Sequence, residues 1–179
     1  MKLYHTTTHT SVDMSYTVRH ATKSDLQHIM PIIDAARQFM VETGNPHQWA
    51  DGYPAISDID TDILNRHGYV VVDGQTIVAY FAFIPSPDPT YAIIYDGQWL
   101  CDSLPYHVIH RIASLPTHHG IFDTIINYCS AIDSNLRIDT HRDNHVMQHC
   151  ILSHKFTYRG IVHIRGGAER LAYQRLDIS

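Results

Sequence analysis

Three histidines near the C-terminus, His141, His145 and His149, are spaced four residues apart. On one continuous α-helix, residues at this spacing share a face, and imidazoles on one face can bind a transition metal. A metal site needs three or four converging ligands, and neither cysteine nor carboxylate stands at ligand spacing beside these histidines. Asp143 or Asn144 is a good helix cap, so we predict a helix that begins there, with His141 at the end of the preceding strand, and no metal site. A helix that begins earlier and includes all three would favour the metal hypothesis.

Side chains that can take or give a proton are concentrated on two predicted strands, residues 106–115 and 135–140. Histidine is the most common general base in proteins, and a carboxylate can orient it or bind a substrate cation. The candidate catalytic residues are Tyr106, His107, His110, Asp139 and His141. Asp139 and His141 alternate with their neighbours and therefore share one face of the second strand. The alternative is structural: half-buried strand histidines bonded to backbone carbonyls, and a salt bridge for Asp139.

The loop PTHHGIF, residues 116–122, connects the first of these strands to a predicted helix. The first turn of a helix presents unpaired N–H groups at the positive end of its dipole, which suits a phosphate or pyrophosphate. Neither a G-x-x-x-x-G-K-[ST] nor a G-x-G-x-x-G pattern is present, so neither a P-loop nor a Rossmann nucleotide site is indicated.

The elements that must position these residues follow from hydrophobic periodicity and turn signals. The predicted order is β-α-α-β-β-β(β)-α-β-α-β, a mixed α/β domain. Ser57 is the predicted cap of the second helix, Gly68 its end, and Asp73-Gly74 the turn of a hairpin. The predicted segments are a strand at 16–21, a helix at 22–44, a helix at 57–68, a hairpin at 69–84, a short strand at 90–100, a strand at 106–115, a loop and helix at 116–133, strands at 135–140 and 156–164, and a turn with a short end piece at 165–176.

Composition limits the function classes. The chain has 179 residues, 44% hydrophobic and 17% charged, and a net charge of −5, which disfavours a nucleic-acid surface that neutralises phosphates. Its three cysteines are widely spaced, which favours a reducing cytosol over a disulfide framework. We predict a flexible N-terminal extension over 1–15, no signal peptide, no membrane span, and one domain over 16–179.

Two longer stretches indicate a family. The chain contains HRIASLPTHHGIF (110–122), an amphipathic helix, and then LRIDTHRDNHVMQHCILSHKF (136–156), with NPHQW and GYP early and G-x-x-R-x-A-Y late. Together these resemble the GNAT-type N-acetyltransferase superfamily over about residues 16–175. The resemblance implies a mixed, mostly antiparallel sheet flanked by helices and splayed between its fourth and fifth strands. It also implies acetyl-CoA as cosubstrate, bound in that V-shaped opening.

The resemblance also implies site residues. Contacts to the pantetheine arm would fall on the fourth strand, the pyrophosphate would lie on the following loop, and an asparagine would head the last helix. The implied cofactor-binding residues are Ile112, Ala113, Ser114, Thr117, His118, His119, Gly120, Ile121, Phe122 and Asn144. Within the loop pattern Q/R-x-x-G-x-G/A, Gly120 is the match. Further departures are Ile151, where the family often has a tyrosine that protonates the thiolate, and Lys155, where it has glycine.

The sequence therefore predicts an enzyme that moves acetyl from acetyl-CoA to a primary amine by direct attack in a ternary complex. A small-molecule acceptor is expected, because residues 45–54 would cap a pocket that Trp49, Tyr53 and Trp99 could line; ordinary packing of these aromatics is the alternative. A homodimer is possible, as in the resembling family. The departures from the family pattern motivate a second hypothesis, a non-catalytic module that binds or senses acyl-CoA.

Overall fold

The computed structural model describes residues 16–177, and the predicted N-terminal extension lies outside them. The described chain contains seven strands and four helices, with short 3₁₀ turns at Lys23–Asp25 and Pro89–Tyr91. The strands are β1 Thr17–His20, β2 Gly68–Asp73, β3 Thr76–Pro85, β4 His107–Ser114, β5 Asn135–Thr140, β6 Thr157–His163 and β7 Glu169–Leu176. The helices are α1 Leu26–Glu42, α2 Ile56–Leu64, α3 Ile121–Ile132 and α4 His145–Ser153. Among the described helices, none is both long and apolar enough to cross a membrane.

The strands form one sheet in the order β1-β2-β3-β4-β5-β7-β6. β4 and β5 pair in parallel, and the other neighbouring strands pair antiparallel. A parallel pair needs a crossover connection, which α3 provides. The predicted fold class, a mixed and mostly antiparallel sheet flanked by helices, is confirmed.

The sheet opens between β4 and β5. Their pairing runs from His107 opposite Leu136 to Ile109 opposite Ile138 and ends there. Beyond this point His110, Ala113 and Ser114 keep their partners on β3, and the edge of β4 that faces β5 is left without a neighbouring strand. This is the splayed opening that the family resemblance implied.

A β-bulge in β4 shapes one wall of this opening. The register between β3 and β4 shifts by one residue next to Arg111, whose φ of +56° is left-handed. A bulge gives one strand an extra residue and changes which face its side chains reach. As a result, the adjacent residues His110 and Arg111 both line the opening.

Two hydrophobic cores cover the two faces of the sheet. One contains Ile125 and Ile126 of α3 with Ile151 of α4, and the other contains Ile29 and Ile33 of α1. These residues recur at the spacing of one helical face, as expected for amphipathic helices that bury one side against a sheet. The cores fix the sheet, and through it the edges of the opening.

The second helix differs from its prediction. It spans Ile56–Leu64, and Gly68 is the first residue of β2. Ala55 is the cap, and the Asp58 carboxylate accepts a 2.7 Å hydrogen bond from the Ala55 N–H. An acidic residue three positions after the cap satisfies this free donor, so the cap lies two residues before Ser57.

The predicted strand at 90–100 was wrong. A 3₁₀ turn occupies Pro89–Tyr91, and the remainder is irregular apart from one isolated bridge between Tyr95 and Ile161. The segment passes close to β6: a β-carbon on Gly97 would overlap the carbonyl oxygen of Arg159. The apolar run YAII suggested a strand, but Tyr91 packs inward as part of the turn and Ile93 is exposed.

The C-terminal piece was also underestimated. Residues 169–176 form the eight-residue strand β7, which is inserted between β5 and β6. Its central residues Ala172, Tyr173 and Gln174 are all buried. A strand covered on both faces loses the polar–apolar alternation that identifies surface strands.

The histidine row lies across a boundary, as predicted. The Asn144 side chain accepts a 3.0 Å hydrogen bond from the Met147 N–H and caps α4, which begins at His145. His141 lies in the turn before the helix, so the three histidines do not share one helical face. Within residues 16–177, no group of three or more histidine, cysteine or acidic side chains is placed to hold a metal ion.

Lys155 occupies the position after α4 where the family has glycine, and its φ is +66°. A left-handed conformation costs a residue with a β-carbon about 1–2 kcal/mol and costs glycine little. We therefore expect Lys155→Gly to raise the free energy of unfolding by about 1 kcal/mol, measured by urea denaturation. Lys155→Ala removes the same side chain and keeps the β-carbon, so it should give no comparable gain. Equal stabilities of the two variants would contradict the assignment of strain.

Candidate active site

A cleft of about 620 Å³ lies at the opening between β4 and β5. Residues 47–53 form one rim, residues 84–90 form another, and the start of β7 with the preceding turn closes the third side. The floor comes from the middle of β4 and the end of β5. This arrangement places the polar side chains of several loops around one unpaired strand edge.

Part of the cleft is apolar. Ile109 and Ile112 of β4, Ile138 of β5 and Met147 of α4 line it. All four belong to, or pack against, the core beneath α3 and α4. A surface of this kind excludes water from whatever lies between the two strands, which strengthens the electrostatic interactions beside it.

His110 is the centre of the polar part. Its Nε2 lies 3.2 Å from Oδ2 of Asp88, and its Nδ1 lies 3.8 Å from Oδ2 of Asp139. The first distance permits a hydrogen bond, and the second is too long for one. If Nε2 donates to Asp88, the lone pair of Nδ1 is directed towards a gap in front of Asp139.

Asp139 is held by two further groups. The buried Tyr91 hydroxyl donates a 2.6 Å hydrogen bond to Oδ2, and Arg170 Nε lies 3.9 Å from Oδ1. Burial, followed by the charge of Asp139, raises the pKa of Tyr91 well above its ordinary value. Tyr91 therefore keeps its proton and donates to the carboxylate. The salt bridge expected as the structural alternative for Asp139 is therefore present, with Arg170 as its partner.

Asp88 orients the other side of the imidazole. Its carboxylate accepts a 2.8 Å hydrogen bond from the Thr90 N–H in addition to the contact with His110. Burial by itself would raise the pKa of Asp88, but the His110 and Thr90 contacts outweigh it and lower that pKa below its usual value. Asp88 is therefore a carboxylate throughout the neutral range.

Sequence reasoning did not identify Asp88, Tyr91 or Arg170 as site residues. A signal existed for the first: Asp88 precedes Pro89, and aspartate before a proline at the first position of a turn is a favoured cap. No local pattern brings Tyr91 to Asp139, because 48 residues separate them.

Arg111 also lies in the polar part of the cleft, next to His110. Its Nη1 lies 2.9 Å from both carboxylate oxygens of Asp62 on α2, and its guanidinium carbon is 5.6 Å from the Tyr53 ring centroid. Burial raises the pKa of Asp62, and Arg111 and the Tyr80 hydroxyl oppose that rise. Arg111 therefore forms an ion pair with Asp62, and the same side chain lines the cleft.

The loop before α3 presents a free helix N-terminus. Gly120 caps the helix with a φ of +73°, and no atom lies within 4 Å of where its β-carbon would be. The Tyr16 hydroxyl donates a 3.0 Å hydrogen bond to the His119 carbonyl, and no side chain caps the helix. The geometry leaves these donors available for an anion.

Side chains of the implied cofactor site point elsewhere. Phe122 packs on the core and makes an edge contact with His154, with the ring centroids 4.8 Å apart. His118 is hydrogen-bonded to Thr117 at 3.0 Å. Any contribution of these loop residues to phosphate binding would therefore come from their backbone. On β4, Ile112 lines the cleft, whereas the side chain of Ala113 is buried in the core beneath α1. Contacts of Ala113 with a cofactor would therefore also come from its backbone.

Several predicted site residues lie outside the cleft. The structure pairs His107 with Asp133 at 2.6 Å and stacks it on Phe83, where β4 and β5 are still joined. Tyr106 and Trp99 are buried on either side of Arg137, at 3.7 and 3.9 Å from its guanidinium carbon. These three side chains are not among the described residues that line the opening, so the geometry gives no support to roles in catalysis or acceptor binding.

Other predictions fall at or near the cleft. Trp49 and Tyr53 line it, as does Asp139. His141 lies behind His47 on the rim, at 6.2 Å between ring centroids, and burial together with nearby Arg170 lowers its pKa. The Asn144 amide donates to Gln48 at 2.7 Å. Asn144 therefore ties the rim to α4 and does not itself line the opening.

Comparisons with known proteins agree with this geometry. A solved GNAT-family acetyltransferase from Streptococcus agalactiae is 32% identical, covers 92% of this chain and 96% of that chain, and superposes with a TM-score of 0.83. A GNAT-family acetyltransferase from Listeria monocytogenes shares the fold at 15% identity, with coverages of 90% and 95% and a TM-score of 0.67. So does yncA from Salmonella typhimurium, solved with its cofactor acetyl-CoA, at 14% identity, coverages of 92% and 95% and a TM-score of 0.55. No protein-family model and no curated protein matches. On the strength of the first of these similarities, which extends over nearly the whole of both chains, this protein belongs to the GNAT family of acetyltransferases.

Proposed function

We propose that the protein transfers acetyl from acetyl-CoA to a primary amine by direct attack in a ternary complex, with His110 as the base. The observation that supports this most is the gap of 3.8 Å between His110 Nδ1 and Asp139 Oδ2. An amine nitrogen can contact both groups there at hydrogen-bonding distance. Asp139 would attract the ammonium form, and His110 would accept the proton that makes the nitrogen nucleophilic.

The opening fits acetyl-CoA. The unpaired edge of β4 at Ile112, Ala113 and Ser114 offers backbone groups to the amides of a pantetheine arm, and the backbone of 117–122 offers N–H groups to a pyrophosphate. The open space at Gly120 leaves room for phosphate oxygens at the helix terminus. Acetyl-CoA would supply the thioester carbonyl that the amine attacks.

The residues of the cleft have separate roles in the proposed reaction. As the new C–N bond forms and the C–S bond breaks, the amine proton passes to His110, and Asp88 stabilises the resulting imidazolium. A backbone N–H on the unpaired edge of β4 can stabilise the negative carbonyl oxygen. Ile151 is fully buried and cannot protonate the leaving thiolate, so that proton must come from water or from another group.

A small-molecule acceptor is favoured by the rim. Residues 47–53 overhang the polar end of the cleft, with Trp49 only 6% exposed. Arg37 donates to the backbone carbonyls of Tyr53 and Pro54 at 3.2 Å, which fixes this segment against α1. A fixed rim leaves less room for a folded protein acceptor than for a small amine.

The cysteines favour a reducing compartment for the enzyme. Cys101, Cys129 and Cys150 are all free thiols, which agrees with a reducing cytosol. A homodimer stays a prediction from the family resemblance.

The proposal is tested by mixing the protein with acetyl-CoA and a panel of primary amines and measuring free thiol. Thiol release that depends on both an amine and the protein is expected, with formation of the N-acetyl product. An acetyl-CoA-dependent rise in melting temperature without thiol release across the panel would contradict catalysis and favour an acyl-CoA-binding module. Absence of any such rise would contradict both functions.

A further inference from the structure

We propose that the acceptor bears an anionic group close to its amine, and that Arg111 and Arg170, which line the cleft together with His110 and Asp139, bind that group. This rests on the proposed function and names the substrate class for the same cleft. The class comprises amino acids and aminoalkyl phosphates, in contrast to polyamines and other simple amines.

Three of the four carboxylates that line the cleft already have donors, and the fourth, Asp51, is exposed on the rim. Asp58 accepts from the Ala55 N–H at 2.7 Å, Asp88 from Thr90 at 2.8 Å, and Asp139 from Tyr91 at 2.6 Å. Their capacity for a second cationic group on the acceptor is correspondingly small. The gap beside Asp139 accommodates one ammonium group, and the proposed chemistry uses it.

Arg111, in contrast, has an N–H donor that no described residue accepts. Its Nη1 serves both oxygens of Asp62, while its Nε is buried and has no hydrogen-bond partner among the described residues. A buried unsatisfied N–H costs about 1–3 kcal/mol, which an acceptor group of a ligand would recover. Arg111 also adopts a left-handed conformation, and backbone strain of this kind concentrates at functional sites.

Arg170 is a buried cation with incomplete charge compensation. Its side chain is 5% exposed, its Nη atoms donate to the backbone carbonyls of Glu169 and Gln48, and Asp139 lies 3.9 Å from its Nε. Burial lowers the pKa of Arg170 from its usual value, and the charge of Asp139 opposes this only in part. An anion from the ligand would supply the missing charge.

Tyr53 lines the cleft together with both arginines, and its ring centroid lies 5.6 Å from the guanidinium carbon of Arg111. Burial, partly opposed by Arg111, raises the pKa of Tyr53, so the hydroxyl keeps its proton and can donate. Tyr53 from the rim and the two arginines from β4 and β7 thus present donors to one region beside the proposed amine position.

The test compares matched acceptors that differ in the anion. Each α-amino acid is paired with its amide, and each aminoalkyl phosphate with its amino alcohol, with acetyl-CoA held saturating. In the series with the faster substrates, we expect kcat/KM to be at least about 10-fold higher for the anionic member than for its neutral partner. Comparison of the two series shows whether the site prefers a carboxylate or a phosphate. Equal or better turnover of the neutral members would overturn the anion site while leaving amine acetylation intact. Absence of thiol release from every acceptor, despite acetyl-CoA-dependent thermal stabilisation, would contradict the proposed function and the anion site with it.

Variants assign the site to its residues. Arg170→Gln and Tyr53→Phe should raise KM for the anionic acceptor about 10-fold or more, and by clearly more than for its neutral partner. Arg142→Gln is the matched control, because Arg142 pairs with Glu169 on the exposed surface and does not line the cleft. If Arg170→Gln raised both KM values equally, or neither, its role in anion recognition would be refuted.

Discussion

Replacing His110 with alanine is expected to lower kcat by about 10²- to 10⁴-fold without loss of the folded state. The imidazole is half-buried between Asp88 and Asp139. A carboxylate is a much weaker base than an imidazole, so neither aspartate can fully substitute for it. Steady-state thiol release gives kcat, and thermal unfolding checks the fold. Added imidazole should restore part of the rate in the variant, because the deleted side chain leaves space beside Asp88 that a free base can occupy.

His107 provides the matched control for this experiment. It is on the same strand, is similarly half-buried, and pairs with Asp133 outside the cleft. His107→Ala should therefore change kcat by less than about 3-fold, although it removes a hydrogen bond of the kind that contributes about 0.5–1.5 kcal/mol to stability. A His110→Ala enzyme within 3-fold of wild type, or a His107→Ala enzyme as impaired as His110→Ala, would contradict the assignment of the base.

Asp88 should have an intermediate effect, because it acts through His110. Loss of its carboxylate leaves the ring of His110 without the partner that fixes its orientation, but leaves the base itself in place. The expected order of activity is therefore wild type, Asp88→Ala, and then His110→Ala. This order separates a positioning residue from the group that touches the amine.

Much of the fold could be predicted because its signals are local. The hairpin at Asp73-Gly74, the cap at Asn144 and the apolar spacing of α3 each depend on neighbouring residues, and each agrees with the structure. β7 was missed because it is covered on both faces and lacks alternation. The segment after Pro89 was predicted as a strand, because a run of four apolar residues such as YAII does not by itself distinguish a strand from a packed turn.

The site was harder to predict because it is assembled from distant segments. His110 and Asp139 were identified from the sequence because they lie on the two strands that border the proposed opening. The structure places both side chains in the lining of the cleft. Their partners Tyr91 and Arg170 come from an irregular segment and from the strand that was underestimated, so no spacing rule connected them. The choice between His107 and His110 depended on where the pairing of β4 and β5 ends, which is a tertiary property.

Departures from the family pattern have local explanations. Phe122 packs towards His154 rather than into the space before α3, and Lys155 adopts the conformation for which glycine is usual. Ile151 contributes to the core and removes the usual thiolate acid. Of the three, only Ile151 changes the chemistry, and it affects the fate of the thiolate rather than the activation of the amine.

The second large effect concerns Arg137, whose side chain is fully buried between the rings of Trp99 and Tyr106. Arg137→Ala is expected to lower the free energy of unfolding by about 3 kcal/mol, because it leaves a cavity between two large aromatic rings and removes their cation–π contacts. Urea denaturation measures the loss. KM for the amine should be unchanged, since neither ring lines the cleft.

Arg137→Met separates packing from charge. The guanidinium donates through Nη2 to the Cys101 carbonyl and the exposed Asp102, both at 3.0 Å, while Nε and Nη1 are buried without partners among the described residues. Methionine keeps most of the volume and removes both unsatisfied groups, and buried ionic groups can often be replaced by apolar ones at little cost. We therefore expect Arg137→Met to cost less than about 1 kcal/mol. If methionine were as destabilising as alanine, the cation itself would hold Trp99 and Tyr106 in place, and packing would be the smaller contribution.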